Sequence, residues 1–233
     1  MSAKSLVKKI PILVFILVIP GFLYYLLTVK GKNRYHPLPK FGPKAIAKTG
    51  HKFHGQFIPD TIFHTIPDFN LTDQDGKPVS FKTFAGKIVV AGFFYIHCPT
   101  VCNTIISNVD SLAGEYAPNK LVRFASVTVD PSRDTAPILK EYVKKLNNSS
   151  DKWRFLTGDT AVIYPLARKG FLVNAVQVDK DNFIYSDQLI LVDSHRRIRG
   201  YYSGANATDL QRLDDEIKVL LTEELLNKEE PLY

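Results

Sequence analysis

The 233-residue sequence predicts an α/β protein, a sheet covered by helices, preceded by one transmembrane helix. From about residue 66 onward, apolar runs of strand length alternate with amphipathic helical segments, and a strand hairpin and a last helix follow near the C terminus. This alternation is typical of a layered α/β domain. Separately, an uncharged run from Ile10 to Val29 is long enough to cross a bilayer, since a helical span needs about twenty residues.

The chain divides by composition into four segments. We expect a basic tail over residues 1–9, a transmembrane anchor over 10–29, a basic linker over 30–60 and the α/β domain over 61–228. The linker prediction depends on its prolines and on the lack of a sustained apolar period. A cleaved signal peptide is the alternative to the anchor, but the run lacks the small-residue cleavage site that such a peptide needs.

Positive charge is concentrated ahead of the domain. Residues 1–60 carry ten Lys or Arg against one acid, whereas residues 61–233 carry twenty against twenty-two. A nucleic-acid-binding domain would show its basic surface within the fold, so nucleic acid is excluded as a partner. Charges beside the apolar run would place the domain in the cytoplasm, yet long domains translocate largely regardless of that rule. Charge alone therefore leaves the orientation open.

Each element of the domain has its own signal. Residues 87–95 are nearly all apolar, as expected for a central strand covered on both faces. Asp134 and Thr135 are cap residue types ahead of one helix, and Gly170 closes another. The predicted elements are strands at 67–71, 79–81, 87–95, 122–129, 154–157, 171–178, 188–193 and 198–203, and helices at 104–116, 134–146, 160–169 and 207–226. Their order is that of a thioredoxin-type α/β sandwich.

The only two cysteines, Cys98 and Cys102, lie between the predicted central strand and the next helix. A helix N-terminus carries partial positive charge, which favours thiolate over thiol. Thiolates are required both for thiol–disulfide exchange and for binding of soft metal ions. The alternative is a pair of inert core thiols, which would have no reason to cluster beside a strand-to-helix turn.

A second loop is expected at the same edge of the sheet. Residues 130–135 follow the strand after the cysteines, and parallel strands place their carboxyl ends together. We expect Asp130, Arg133 and Asp134 to form a supporting loop there. Asp130 and Asp134 have a simpler alternative role in shaping the turn and capping the helix, with Arg133 paired to either of them.

Three segments carry a resemblance to a known family. They read FYIHCPTVC at residues 94–102, VDPSRDT at 129–135, and LVD followed by RIRGYY within 191–202. From about Ile66 to Leu226 the chain resembles the SCO/SenC family of membrane-anchored, thioredoxin-like copper chaperones for cytochrome c oxidase. The resemblance implies copper as the metal and the copper-site subunit of cytochrome c oxidase as the partner. It also implies a single-pass protein of the inner (cytoplasmic) membrane, with the domain on the extracytoplasmic, periplasmic side.

The resemblance also implies a ligand set that this chain does not complete. Family members hold copper with the two cysteines and a histidine eight residues before the position of Asp193, which is Tyr185 here. Tyr185 therefore replaces the third ligand. His97 is a weak substitute because a neighbour of Cys98 in sequence usually points elsewhere.

Two functions follow for Cys98 and Cys102. As metal ligands, two thiolates favour Cu(I) over Cu(II), and a neutral phenol replaces imidazole poorly. Alternatively, the pair cycles between dithiol and a Cys98–Cys102 disulfide as a thioredoxin-type oxidoreductase acting on oxidase-subunit or other extracytoplasmic thiols. Against this enzyme activity, no proline precedes the strand that begins at Gln188. A third alternative is a thiol peroxidase activated by Arg133.

Overall fold

The chain divides into two compact units, Met1–His36 and Pro37–Tyr233. The computed structural model describes residues 15–16, 18–26, 37–53, 56–98, 101–147, 151–179 and 183–229. In the first unit, residues 15–16 and 18–26 are helical. Over these described ranges, no helix combines the length and the apolar character that a membrane crossing requires. The predicted basic tail and much of the predicted anchor lie outside the described residues, so the span stays a prediction.

The second unit opens with a hairpin where the sequence predicts an irregular linker. Strand β1 (Lys44–Phe53) pairs antiparallel with β2 (Gln56–Phe63). The linker prediction relied on proline, but Pro59 lies in a two-stranded ribbon whose outer edges need no N–H donor. Gly50 provides room opposite it, because a Cβ at this position would lie 2.3 Å from the carbonyl oxygen of Ile58. The predicted linker over residues 30–60 therefore contains strand β1 and most of strand β2.

Seven of the remaining strands form one mixed sheet. Its order is β11-β10-β5-β6-β7-β3-β4, in which β5, β6 and β7 are parallel and the other neighbours antiparallel. Two further strands, β8 and β9, pair only with each other. The strands are β3 (Leu71–Asp73), β4 (Pro78–Val79), β5 (Ile88–Phe94), β6 (Val122–Thr128), β7 (Trp153–Thr157), β8 (Ala175–Gln177), β9 (Phe183–Tyr185), β10 (Gln188–Val192) and β11 (Ile198–Ser203).

Four α-helices cover the sheet, and two short turns of other helix types occur between strands. A 3-10 turn spans Phe81–Phe84 and a π-helical turn spans Leu166–Gly170. The α-helices are α1 (Val101–Glu115), α2 (Ala136–Val143), α3 (Thr160–Pro165) and α4 (Ala207–Glu229). The helix predicted from residue 104 thus starts three residues earlier. The predicted alternation of strands and helices is confirmed.

The central strand β5 separates two hydrophobic cores, as its apolar sequence predicts. Alternate residues of a strand point to opposite faces. Val89, Ala91 and Phe93 belong to the core on the α3 side, which also contains both cysteines. Ile88 and Phe94 belong to the other core, where α1 and α4 pack. The cysteine loop therefore starts from the most deeply buried part of the sheet.

Two predicted strands are shorter than expected, for local reasons. The strand predicted at 79–81 ends at Val79, because Ser80 and Thr83 form a reciprocal capping box that starts the 3-10 turn. The strand predicted at 171–178 is reduced to β8. Its first residues pair with the preceding helical turn instead of with a strand. The N–H groups of Phe171 and Val173 donate to the carbonyl oxygens of Leu166 and Ala167.

A buried ionic cluster attaches the segment before the hairpin to the domain. Arg199 is 2% exposed and pairs with Glu223 at 2.6 Å and with Asp193 at 3.3 Å. Its guanidinium also donates to the carbonyl oxygens of Leu38 at 2.7 Å and Pro39 at 3.1 Å. The N–H of Leu38 donates to Glu223 at 2.7 Å. Part of the predicted linker is therefore fixed to β11 and α4.

We expect Arg199→Met to destabilise the protein by about 3–5 kcal/mol, because it leaves the buried carboxylate of Glu223 without its cationic partner. Urea unfolding followed by the fluorescence of Trp153, the single tryptophan, measures the change. Lys218→Met, which removes an exposed ion pair with Asp214, is the control and should change the midpoint little. Equal midpoints for Arg199→Met and the unmodified protein would contradict this account of the cluster.

Candidate functional site

The two cysteines form a disulfide at the start of α1. Cys98 lies in the loop that follows β5, and Cys102 is the second residue of the helix. Their Cα atoms are 5.8 Å apart. Cys98 is 9% exposed and Cys102 3%, so an incoming thiolate reaches the first sulfur more readily. The arrangement suits attack at Cys98, with Cys102 protected beneath it.

The hydroxyl of Tyr185 lies against both sulfurs. Its oxygen is 3.0 Å from Cys98 Sγ and 2.6 Å from Cys102 Sγ. Strand β9 brings it there, paired with β8 at the same end of the domain as the cysteine loop. The count back from Asp193 therefore identified a residue that the structure places beside the sulfur pair.

Tyr185 is a neutral hydrogen-bond donor at ordinary pH. Burial raises the pKa of its hydroxyl to about 12, and the neighbouring Tyr95 and Asp187 act in the same direction. A phenol in that state keeps its proton, so it can donate to a sulfur but is a poor anionic metal ligand. Where an imidazole would offer a metal-binding nitrogen, Tyr185 thus offers an O–H donor.

Two further aromatic side chains extend from the tyrosine, and the sequence prediction missed them. The ring centroid of Tyr95 is 5.6 Å from that of Tyr185 and 5.0 Å from that of Phe183. Phe183 in turn lies under the guanidinium of Arg133, with 5.8 Å from Cζ to the ring centroid. One signal was present in the sequence: Phe183 and Tyr185 are two residues apart on a strand and so share a face.

The predicted supporting loop reaches the site through this aromatic cluster. Arg133 pairs with Asp130, which settles the choice between the two acids that the sequence left open. Asp130 is buried and also accepts a hydrogen bond of 2.7 Å from the hydroxyl of Ser132. Through its stacking on Phe183, Arg133 connects the loop after β6 to the wall around Tyr185.

Asp134 does not cap helix α2 as its position suggested. Thr135 is the N-cap residue, and no side chain bonds to the first turn. The buried carboxylate of Asp134 instead accepts hydrogen bonds from the N–H of Ile96 at 3.1 Å and from the hydroxyl of Thr128 at 2.5 Å. Burial raises the pKa of Asp134, and the nearby Asp130 adds to this effect. Asp134 therefore ties the turn before Cys98 to the end of β6.

No histidine takes the place of the missing ligand in the described part of the chain. His97 is exposed and makes no hydrogen bond to either sulfur there. His195 is exposed in the turn between β10 and β11, where ligand atoms of His195, Asp193 and Glu224 lie within 4.8 Å of one another. Asp193 is already bonded to Arg197 at 2.7 Å, so this group forms a braced turn rather than an open metal site.

Comparison with known proteins identifies the family. The SCO1/SenC family model matches residues 60–221, which is most of the second unit. The chain belongs to the SCO1/SenC family. The family match begins at the end of the β1–β2 hairpin and includes every residue of the site described above.

Individual relatives support the fold of this SCO1/SenC protein. The SCO1 protein homolog of Bacillus subtilis is 29% identical over 167 residues, covering 70% of this chain and 86% of the relative. A solved structure of BsSco matches with a TM-score of 0.62 and 28% identity, covering 68% of this chain and 94% of BsSco. BsSco is described as a member of the Sco family of cytochrome c oxidase assembly proteins in which a disulfide switch was identified. Copper-bound ScoI of Bradyrhizobium japonicum matches with a TM-score of 0.51 and 31% identity, covering 64% of this chain and 98% of ScoI. The predicted thioredoxin-like α/β fold is confirmed.

In this SCO1/SenC protein, we expect Tyr185→Phe to raise the thiol pKa of the reduced cysteine pair by about one pH unit, because a hydrogen bond that stabilises the thiolate is lost. The pH dependence of alkylation of the reduced protein measures this pKa. Tyr164→Phe is the matched control, since that hydroxyl donates to the carbonyl oxygen of Val129 instead. An unchanged profile for Tyr185→Phe would mean that the hydroxyl does not contact the sulfurs after reduction.

Proposed function

We propose that this protein binds and delivers copper during assembly of cytochrome c oxidase, with reduced Cys98 and Cys102 as the metal ligands. The observation that carries the proposal is the convergence of two cysteine sulfurs at a strand-to-helix turn in a SCO1/SenC fold. Copper-bound ScoI and the membership of BsSco among oxidase assembly proteins support it. The recipient is the oxidase subunit whose own copper site contains cysteines.

The donor set suits Cu(I) as cargo. Reduction of the Cys98–Cys102 disulfide takes up two electrons and two protons, and copper binding then displaces the thiol protons. Two thiolates are soft ligands that select Cu(I), whereas Cu(II) prefers additional nitrogen or oxygen donors in a tetragonal array. Tyr185 remains protonated beside them and adds no anionic ligand. The site is therefore expected to favour the cuprous ion.

A second candidate function, thiol–disulfide exchange, is favoured by the contact between Tyr185 and the disulfide. In this reaction a substrate thiolate attacks Cys98 Sγ, the Cys98–Cys102 bond breaks, and Cys102 leaves as a thiolate. The hydroxyl at 2.6 Å from Cys102 Sγ is positioned to stabilise that leaving group. A second substrate thiolate then attacks the mixed disulfide, which releases oxidised substrate and the reduced pair. The cysteines of the oxidase subunit are the expected substrate.

We also propose that the protein is anchored in the inner membrane by one span over residues 10–29, with the domain over 61–228 on the periplasmic side. The uncharged run supports the span, and the family resemblance supports the orientation. The structured cysteine site is consistent with an oxidising compartment, where disulfides persist.

We expect the reduced protein to bind Cu(I) tightly and Cu(II) weakly, because its ligands are two thiolates without an imidazole. Titration of the reduced protein with each ion, in competition with a chelator of known affinity, measures both affinities. Tyr185→His should restore a nitrogen donor and strengthen Cu(II) binding by at least about tenfold, the scale seen when metal-site partners are changed. Tyr164→His is the control substitution, and tight Cu(II) binding by the unmodified protein would refute the prediction.

We expect the second function, if present, to give catalytic turnover that does not depend on copper. The measurement is reduction or oxidation of a cysteine peptide by the full chain in the presence of a glutathione couple and a Cu(I) chelator. Tyr185→Phe should slow turnover by about tenfold, the kinetic equivalent of one charge-assisted hydrogen bond. Turnover no faster than that of a Cys98→Ser variant would exclude the oxidoreductase and leave copper delivery.

A further inference from the structure

The β1–β2 hairpin exposes large apolar side chains along its length. Both strands are exposed almost throughout, and isolated two-stranded hairpins are only marginally stable in water. All but its last four residues precede the region that the family model matches. The exposed apolar side chains are Ile46 (80%), Phe53 (58%), Phe57 (57%), Ile58 (41%) and Ile62 (56%).

The hairpin is also basic, which argues against self-association. Lys44, Lys48 and Lys52 lie on β1, against the single acid Asp60 on β2. Asp60 is itself 3.7 Å from His51 across the ribbon. Two copies of this hairpin would repel each other, whereas an anionic surface would be attracted.

Its end combines aromatic and basic residues in the way that membrane-surface segments do. Phe53 and Phe57 flank the connection between the strands, and Lys52 pairs directly with Phe57 in the register. Interfacial amphipathic helices bind bilayers with the same two residue types, Phe in the apolar boundary and lysines at the head groups. Lysines near an anionic leaflet add electrostatic attraction that decays within a Debye length.

The attachment of Leu38 limits how far the hairpin can be from a bilayer. Arg199 and Glu223 hold Leu38 on the domain, and eight residues separate Val29 from Leu38. A chain of that length spans at most about 30 Å. The hairpin begins six residues after Leu38, so its covalent connection to a membrane span that ends at Val29 is short.

We propose that the β1–β2 hairpin docks on the surface of a bilayer that contains anionic phospholipids, with Phe53 and Phe57 entering the interface and the lysines of β1 contacting the head groups. The proposal rests on the proposed membrane anchor. Docking would hold the cysteine site at a limited distance from a membrane-embedded recipient. Residues 44–63 would then position the domain at the membrane and would take no part in the chemistry of the sulfurs.

Hydrogen exchange of the full chain in nanodiscs tests the proposal. Amides of residues 44–53 and 56–63 should exchange about thirtyfold more slowly, or slower still, in discs containing phosphatidylglycerol than in discs of phosphatidylcholine alone, the scale expected for two or three surface lysines. The variants Phe53→Ser/Phe57→Ser and Lys48→Gln/Lys52→Gln should lose this protection. Ile138→Ser, which changes an apolar side chain that is 44% exposed on α2, should keep it.

Three results would overturn docking. The first is equal amide exchange in the two kinds of disc, and the second is protection that both double variants retain. The third is protection that rises with protein concentration in the absence of lipid, because it would indicate that a second copy of the chain covers the hairpin. Retention of the chain in the bilayer during alkaline carbonate extraction is measured in parallel. That result reports on the anchor by itself, so failure of the anchor and failure of the hairpin are distinguishable.

Discussion

The parallel pairing of β5 with β6 is the constraint on which the site depends. Phe94 lies opposite Thr128 in this register, so the loops that follow the two strands leave the sheet side by side. Asp134 then joins them, accepting hydrogen bonds from Thr128 and from the N–H of Ile96. Without that register the cysteine loop would have no fixed backbone beneath it. The position of the sulfur pair is therefore fixed by the pairing of the strands beneath it and not by the cysteines themselves.

The hydroxyl of Tyr185 decides which group faces the sulfur pair. An imidazole would offer a third ligand to an oxidised copper ion, whereas the neutral hydroxyl of Tyr185 offers a proton to a sulfur. The same contact is compatible with holding Cu(I) between two thiolates and with stabilising a departing thiolate. The two proposed functions, copper delivery and thiol–disulfide exchange, therefore use one geometry and are distinguished by whether activity needs copper.

Much of the fold was predictable because hydrophobic pattern decides it locally. The apolar residues of β5 predicted a central strand, and the alternation of elements predicted the α/β class. The hairpin over residues 44–63 was not predictable in this way, since its side chains are exposed and follow no buried face. The shortening of the strand predicted at 171–178 depended on N–H donation to the preceding helix, which leaves no compositional signal.

The sequence by itself determined the identity and spacing of the reactive groups: two cysteines at the start of a helix, and a tyrosine eight residues before Asp193. Their chemistry depends on residue type, which is why these residues could be chosen without a structure. Only the tertiary structure decided that Asp134 faces inward instead of capping α2, and that the ring of Tyr95 packs against both Phe183 and Tyr185. Those contacts join residues far apart in the chain, and burial and direction at such distances are set by packing.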